Sequence, residues 1–183
     1  MNTKRGLLGC LMLMACSFAH SEETIPVPTT AEITQGIIKV ATQYASSIAC
    51  SVSDITASDI AALIPYTALE NRYDARYAVF WQGDIGCSGG SGTVSNNISV
   101  ITVGTNDTYL VSSSESSPSI EFSPPVATIT KFLGNTKDTL VFSGLTHGAE
   151  DARCCPSVPM KFSMKTDAKG NWRVVNKKLI TVK

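Results

Sequence analysis

The sequence predicts an α+β fold, a long N-terminal helix packed on an antiparallel, curved meander sheet of about seven strands. Three observations predict it. Thr29-Thr30-Ala31-Glu32 has the form of a helix capping box, and Ile33, Ile37, Val40, Ala41, Tyr44 and Ile48 then recur at helical spacing. From Ala75 onward the apolar residues fall into β-branched and aromatic runs that read as strands. The connections between those runs are mostly of hairpin length, so neighbouring strands should be antiparallel.

Residues 1–19 are expected to form a signal peptide. Lys4 and Arg5 supply its positive end, and Leu7 to Ala15 is an apolar stretch too short to span a bilayer. Two cleavage sites compete. Ser17-Phe18-Ala19 suits ordinary signal peptidase. Leu13-Met14-Ala15-Cys16 resembles a lipobox, which would shorten the signal to residues 1–15 and leave Cys16 as a candidate lipidation site. Residues 20–30, with Pro26 and Pro28, read as an extended tether, and residues 31–183 as a single α+β domain.

The helix is expected from about Ala31 to Cys50, weakened by Gly36. Ser58-Asp59 could cap a second, short helix through Leu63, ended by Pro65. Arg76 to Gln82 is apolar on both faces, with Tyr77, Val79 and Trp81 on one and Ala78 and Phe80 on the other, which predicts a central strand packed on both sides. Gly83 to Gly92 reads as a glycine-rich loop. Ile98–Val103 and Tyr109–Ser112 form one hairpin, and Val126–Leu133 and Thr139–Leu145 form another, with a Ser/Pro-rich loop between them. Met160, Phe162 and Met164 alternate with Lys161, Ser163 and Lys165, one face buried and one wet. A last strand is expected at Trp172–Val175, resuming at Leu179–Val182.

Six cysteines reduce to four once the signal segment is set aside: Cys50, Cys87, Cys154 and Cys155. In an oxidising compartment four cysteines favour two disulfides, with three connectivities available. The crossed arrangement is favoured, in which Cys154 and Cys155 point to opposite sides of an extended strand and meet Cys50 and Cys87 separately. A bridge from either to Cys50 would close a loop worth about 4–5 kcal/mol in the chain-entropy description. The alternative joins Cys154 to Cys155 and leaves Cys50 to Cys87.

Candidate chemistry is sparse. Gly86-Cys87-Ser88-Gly89-Gly90 matches the spacing of a serine nucleophile elbow, but a strand follows where that motif needs a helix. His147, Glu150, Asp151, Cys154 and Cys155 cluster closely enough to suggest zinc or a Cys–His nucleophile. Adjacent cysteines reach one tetrahedral site poorly, and export favours their oxidation, so no metal, cofactor or catalytic residue is expected. Asn97-Ile98-Ser99 and Asn106-Asp107-Thr108 match glycosylation sequons, which a bacterial signal region makes coincidental. Tyr77, Trp81 and Trp172 could line a ligand groove, but aromatic strand residues more often belong simply to the core. Lys+Arg and Asp+Glu both number 15, so no concentrated cationic excess points to nucleic acid.

Tyr77-Ala78-Val79-Phe80-Trp81, Gly83-Asp84-Ile85-Gly86-Cys87, Gly89-Gly90-Ser91-Gly92-Thr93 and Asp151-Ala152-Arg153-Cys154-Cys155-Pro156-Ser157 carry a resemblance. From about Tyr77 to Val175 the chain resembles bacterial exported proteins of unknown function with G-D-x-G-C, G-G-S-G-T and C-C-P-S motifs. It is more distantly similar to the mycobacterial LppP/LprE lipoprotein family, which shares a glycine-rich segment ahead of strand pairs. The resemblance implies a small α+β envelope protein and no reaction. The expectation is therefore a periplasmic or envelope domain, non-enzymatic, that binds an envelope or secreted protein in a structural, inhibitor-type or immunity-type role. It would touch the membrane only through a lipid anchor at Cys16. Two rivals stand beside it: a thiol/redox or hydrolytic enzyme using Cys154, Cys155 and His147, and a small-ligand carrier with its pocket between helix and sheet.

Overall fold

A computed structural model describes residues 26–90, 93–152 and 154–180. The expected signal peptide, Cys16 and the first part of the tether lie outside the described residues. The chain runs α1 (Thr30–Ile48), β1 (Ala49–Val52), β2 (Ile60–Ile64), β3 (Arg76–Ile85), β4 (Ser95–Val103), β5 (Tyr109–Val111), β6 (Thr128–Asn135), β7 (Thr139–Thr146), β8 (Val158–Thr166) and β9 (Trp172–Leu179). The fold is mixed helix and antiparallel strand, as expected. There are nine strands among the described residues, however, and they form two sheets rather than one meander. The first has the order β1-β3-β4-β5 with β2 also on β3, and the second is the meander β6-β7-β8-β9.

The helix starts where the capping box requires. Thr29 N–H donates to the Glu32 carboxylate at 2.7 Å, and Glu32 N–H donates to Thr29 Oγ1 at 3.3 Å. The Thr29 amide, followed by the Thr29 hydroxyl donating to the same carboxylate at 2.8 Å, holds the Glu32 carboxyl below its ordinary range. Ile33, Ile37, Ala41 and Ala45 face inward onto Tyr77, Val79, Trp81, Ile101 and Val103 of the first sheet. Gly36 has a packing reason: a Cβ there would overlap the ring of Tyr109.

The opposite face of the first sheet explains the second sheet. Ala61, Ala78, Phe80 and Ile98 are buried there, and one helix cannot cover both faces of β3. Phe142, Leu140, Phe162, Met160, Met164 and Trp172 supply the cover. Phe80 meets Phe142 edge-on with ring centroids 4.6 Å apart, and Phe142 stacks on Phe162 at 5.2 Å. Such pairs contribute about 0.5–1.5 kcal/mol each beyond area burial. The layers are thus helix, first sheet, second sheet. The two faces of β3 predicted from Tyr77–Trp81 are both occupied, one by each neighbour.

Three further corrections follow from pairing. Residues 58–63 do not form a helix: a 3-10 turn at Ala57–Asp59 leads into β2, which pairs with Arg76–Val79 of β3. A short apolar run cannot distinguish helix from strand by periodicity, and the open edge of β3 decides it. β3 itself continues to Ile85, so the glycine loop is shorter than expected. β9 is continuous through Leu179, with a register shift near Ser163 and Met164 absorbing the polar interruption. The Ser/Pro-rich loop is also more ordered than its composition suggests. Ser116 Oγ accepts from Val100 N–H at 2.9 Å and donates to Ser112 carbonyl at 2.7 Å, while Ser117 Oγ accepts from Ile98 N–H at 3.2 Å. These buried serines stand in for a strand along β4.

Candidate functional site

The cysteines settle into two separate staples. Cys50 in β1 is joined to Cys87 just past β3, with Cα atoms 5.1 Å apart, because Ala49 and Ile85 are antiparallel partners beside them. Cys154 is joined to Cys155 in the connection between β7 and β8. The crossed pairing is therefore overturned. Its premise was a single sheet with the Cys-Cys stretch on an extended strand, whereas the stretch lies in a turn of the second sheet. In this oxidation state neither Cys154 nor Cys155 carries a thiolate.

Two aspartates organise the two cysteine loops. Asp84, buried at the end of β3, accepts from Gly89 N–H at 2.8 Å and holds the glycine loop beside Cys87. That bond pulls its carboxyl below the ordinary range. Asp151 accepts from Gly148 N–H at 2.7 Å, Ser157 N–H at 2.8 Å and Ser157 Oγ at 2.8 Å. The Gly148 amide is the largest cause of its depressed acidity, followed by Ser157. Asp151, expected as a candidate ligand or bystander, is the loop's hydrogen-bond hub, and Ser157 is its partner. His147 and Glu150 stand exposed at the rim. Among the described residues no group of three or more His, Cys, Asp and Glu is placed to hold a metal ion.

Of the expected groove aromatics, Tyr77 and Trp81 are core. Trp81 Nε1 donates to Ser99 Oγ at 3.0 Å, and Tyr77 Oη accepts from Tyr66 N–H at 2.7 Å. Trp172 is buried at the mouth of a cleft of about 350 Å³ between the two sheets, floored by Leu63, Ile64 and Val100. Arg76 and Glu115 pair on one lip, and Asp138 pairs with Lys165 at 2.8 Å near the other. This cavity lies between the sheets, and a second of about 510 Å³ lies between the start of α1 and β5, lined by Pro28, Glu32, Asp107 and Tyr109.

The second sheet shows what residue counts concealed. Its four strands carry Lys131, Lys161, Lys165, Arg173, Lys177 and Lys178 and no Asp or Glu. Residues 26–120 hold three Lys/Arg against eight Asp/Glu, and residues 121–183 hold ten against five, so the zero net charge is a sum of opposites. Register places Lys131 opposite Ser143, Ser143 opposite Lys161, and Lys161 opposite Lys178. Directly opposed residues share a face, so these three exposed lysines form one row across the outer surface. Lys165 and Arg173 have ion-pair partners in Asp138, Asp167 and Glu121. Lys131, Lys161, Lys177 and Lys178 form no ion pair among the described residues, where the ion pairs are those of Arg72, Arg76, Lys165 and Arg173. The alternation of residues 160–165 marked one wet face, but only strand register brings Lys131 and Lys178 into line with Lys161.

No helix among the described residues is long and apolar enough to cross a membrane. Compared with protein-family models, curated proteins and solved structures, the chain matches none of them.

Proposed function

We propose that the chain is an exported, non-enzymatic binding domain of the bacterial envelope that presents the outer face of its second sheet to an acidic protein partner. The observation that carries this reading is the row Lys131, Lys161 and Lys178, three cations without ion-pair partners among the described residues, on strands that carry no carboxylate. Like charges held in register repel one another, a cost that an acidic partner relieves, and such surfaces steer association. The two disulfides are compatible with an oxidising compartment.

Chemical cross-linking in periplasmic extract tests it. The native chain should give a discrete cross-linked species that weakens with added salt. The variant combining Lys131→Glu, Lys161→Glu and Lys178→Glu should lose that species. A control combining Lys39→Glu and Lys137→Glu should keep it. No discrete species from the native chain, or equal yields from all three proteins, would contradict the proposal.

The inter-sheet cleft favours a second function, carriage of a small ligand with an apolar body and charged ends. Its floor is apolar and its lips carry both signs of charge. Thermal stabilisation by such a ligand, abolished by Val100→Trp, would establish it.

A further inference from the structure

β9 is the terminal strand of the second sheet, and among the described residues no strand pairs with its far edge. Trp172 N–H is used by the Glu121 carbonyl at 3.0 Å, and Phe122 makes one parallel bridge to Trp172. The chain cannot continue that bridge, because Pro124 and Pro125 follow and lack the N–H a ladder needs. Beyond it, residues 174–179 make no backbone hydrogen bond outside their pairing with β8 among the described residues. The other long flank of this sheet is different. β6 is closed off by the first sheet, where Asn135 Nδ2 donates to Ala62 carbonyl at 2.7 Å and Ile129 N–H donates to Asn96 Oδ1 at 3.4 Å.

The side chains along the open edge are apolar and cationic in adjacent pairs, so both kinds stand on each face of the strand. Val175 is 58% exposed and Leu179 is 55% exposed, with Val174 and Ile180 also exposed. Arg173, Lys177 and Lys178 lie among them. Proteins blunt edge strands with lysines to prevent self-pairing. A second copy of this strand laid parallel and in register would set Arg173, Lys177 and Lys178 against their own kind, which like-charge repulsion disfavours. The same lysines favour a strand of opposite charge.

We propose that the edge of β9 from Val174 to Leu179 is a strand-addition site for an extended, acidic segment of a partner protein, in which two adjacent carboxylates, one on each face of the added strand, meet Lys177 and Lys178 and flanking β-branched residues cover Val175 and Leu179. Backbone ladder bonds supply affinity, and alternate side chains supply selection. This proposal rests on the reading of the second sheet as a binding surface and narrows it to one edge and one backbone mode.

A random-peptide display library panned on the oxidised full chain tests the edge. It should enrich peptides with two adjacent Asp or Glu residues flanked by β-branched residues. A synthetic copy of an enriched peptide should slow hydrogen exchange at the amides of residues 174–179. The Lys177→Glu/Lys178→Glu variant should bind it at least about tenfold more weakly. N-methylation of alternate peptide amides should abolish binding whatever happens to the variant's fold, because the ladder is lost while the side chains remain. Four results would overturn the proposal: no acidic enrichment, protection confined to the cleft or to the Lys131–Lys161 face, binding indifferent to N-methylation, or vesicles of anionic phospholipid protecting residues 174–179 where no peptide does. A cross-linked periplasmic partner that survives Lys177→Glu/Lys178→Glu but not the Lys131/Lys161/Lys178 charge reversal would sink the edge and leave the broader function standing.

Discussion

The two sheets solve the same packing problem unequally. The first is covered on both faces, by α1 on one and by the second sheet on the other, and it is stapled by Cys50–Cys87 between β1 and β3. Its inner strands are among the most buried parts of the chain, with Ala78, Val79, Ile98 and Ile101 fully inaccessible. The second is covered, among the described residues, on one face only. Its pairings are all between consecutive strands, its disulfide joins neighbouring residues, and its last strand is exposed at almost every position. The difference teaches a division of labour: the first sheet spends both faces on packing, whereas the second packs one face and carries charge on the other and on its edge.

The sharpest way to break that comparison is to remove each staple in turn. Cys50→Ser with Cys87→Ser opens a loop with a sequence separation of 37, for which the chain-entropy description gives a loss of about 3–4 kcal/mol. Cys154→Ser with Cys155→Ser frees no comparable loop and should leave the denaturant midpoint nearly unchanged. Equal losses in urea titration would show that the Cys-Cys turn supports the fold as much as the first-sheet staple does. A smaller effect is expected at the helix. Gly36→Ala gains helix propensity of about 1 kcal/mol, but the new methyl must displace the ring of Tyr109, and overpacking of this kind costs about 1–3 kcal/mol. A net fall in melting temperature is predicted, which disappears when Gly36→Ala is introduced into a Tyr109→Ala background.

The smallest effect is in acid and belongs to the second sheet's loop. Folding strengthens the acidity of Asp151, so its contribution is fully present above the ordinary carboxylate range and is lost as pH falls through the folded value. Asp151→Asn should therefore reduce stability at neutral pH and flatten part of the acid limb of the pH–stability curve. An acid limb identical to that of the native chain would remove Asp151 from its place as hub of the loop.

What the sequence disclosed follows the same line. The capping box and the apolar spacing from Ile33 to Ile48 are local signals, and α1 lies within two residues of its expected bounds. The double-faced run Tyr77–Trp81 and the alternation of Met160, Phe162 and Met164 are also local, and each is packed as its pattern dictates. The number of sheets was not legible, because which element covers Phe80 depends on contacts with residues far along the chain. β2 was hidden because a five-residue apolar run fits either period. The disulfide pairing turned on which strand neighbours β1, and the lysine row on three consecutive strand registers. The roles of Asp84, Asp151, Ser116 and Ser117 were hidden in turn by composition, since polar residues in Gly- or Ser-rich loops look solvated until their backbone partners are known.

The central claim is that the second sheet is the binding surface, and lysine reactivity measures it directly. The full oxidised chain is acetylated alone and again with the partner recovered by cross-linking, and the extent of modification at each lysine is read by mass spectrometry. Partner-dependent protection of Lys131, Lys161 and Lys178, with Lys39 and Lys137 unchanged, is the predicted result. Protection of Lys39, or no protection in the second sheet, would contradict it.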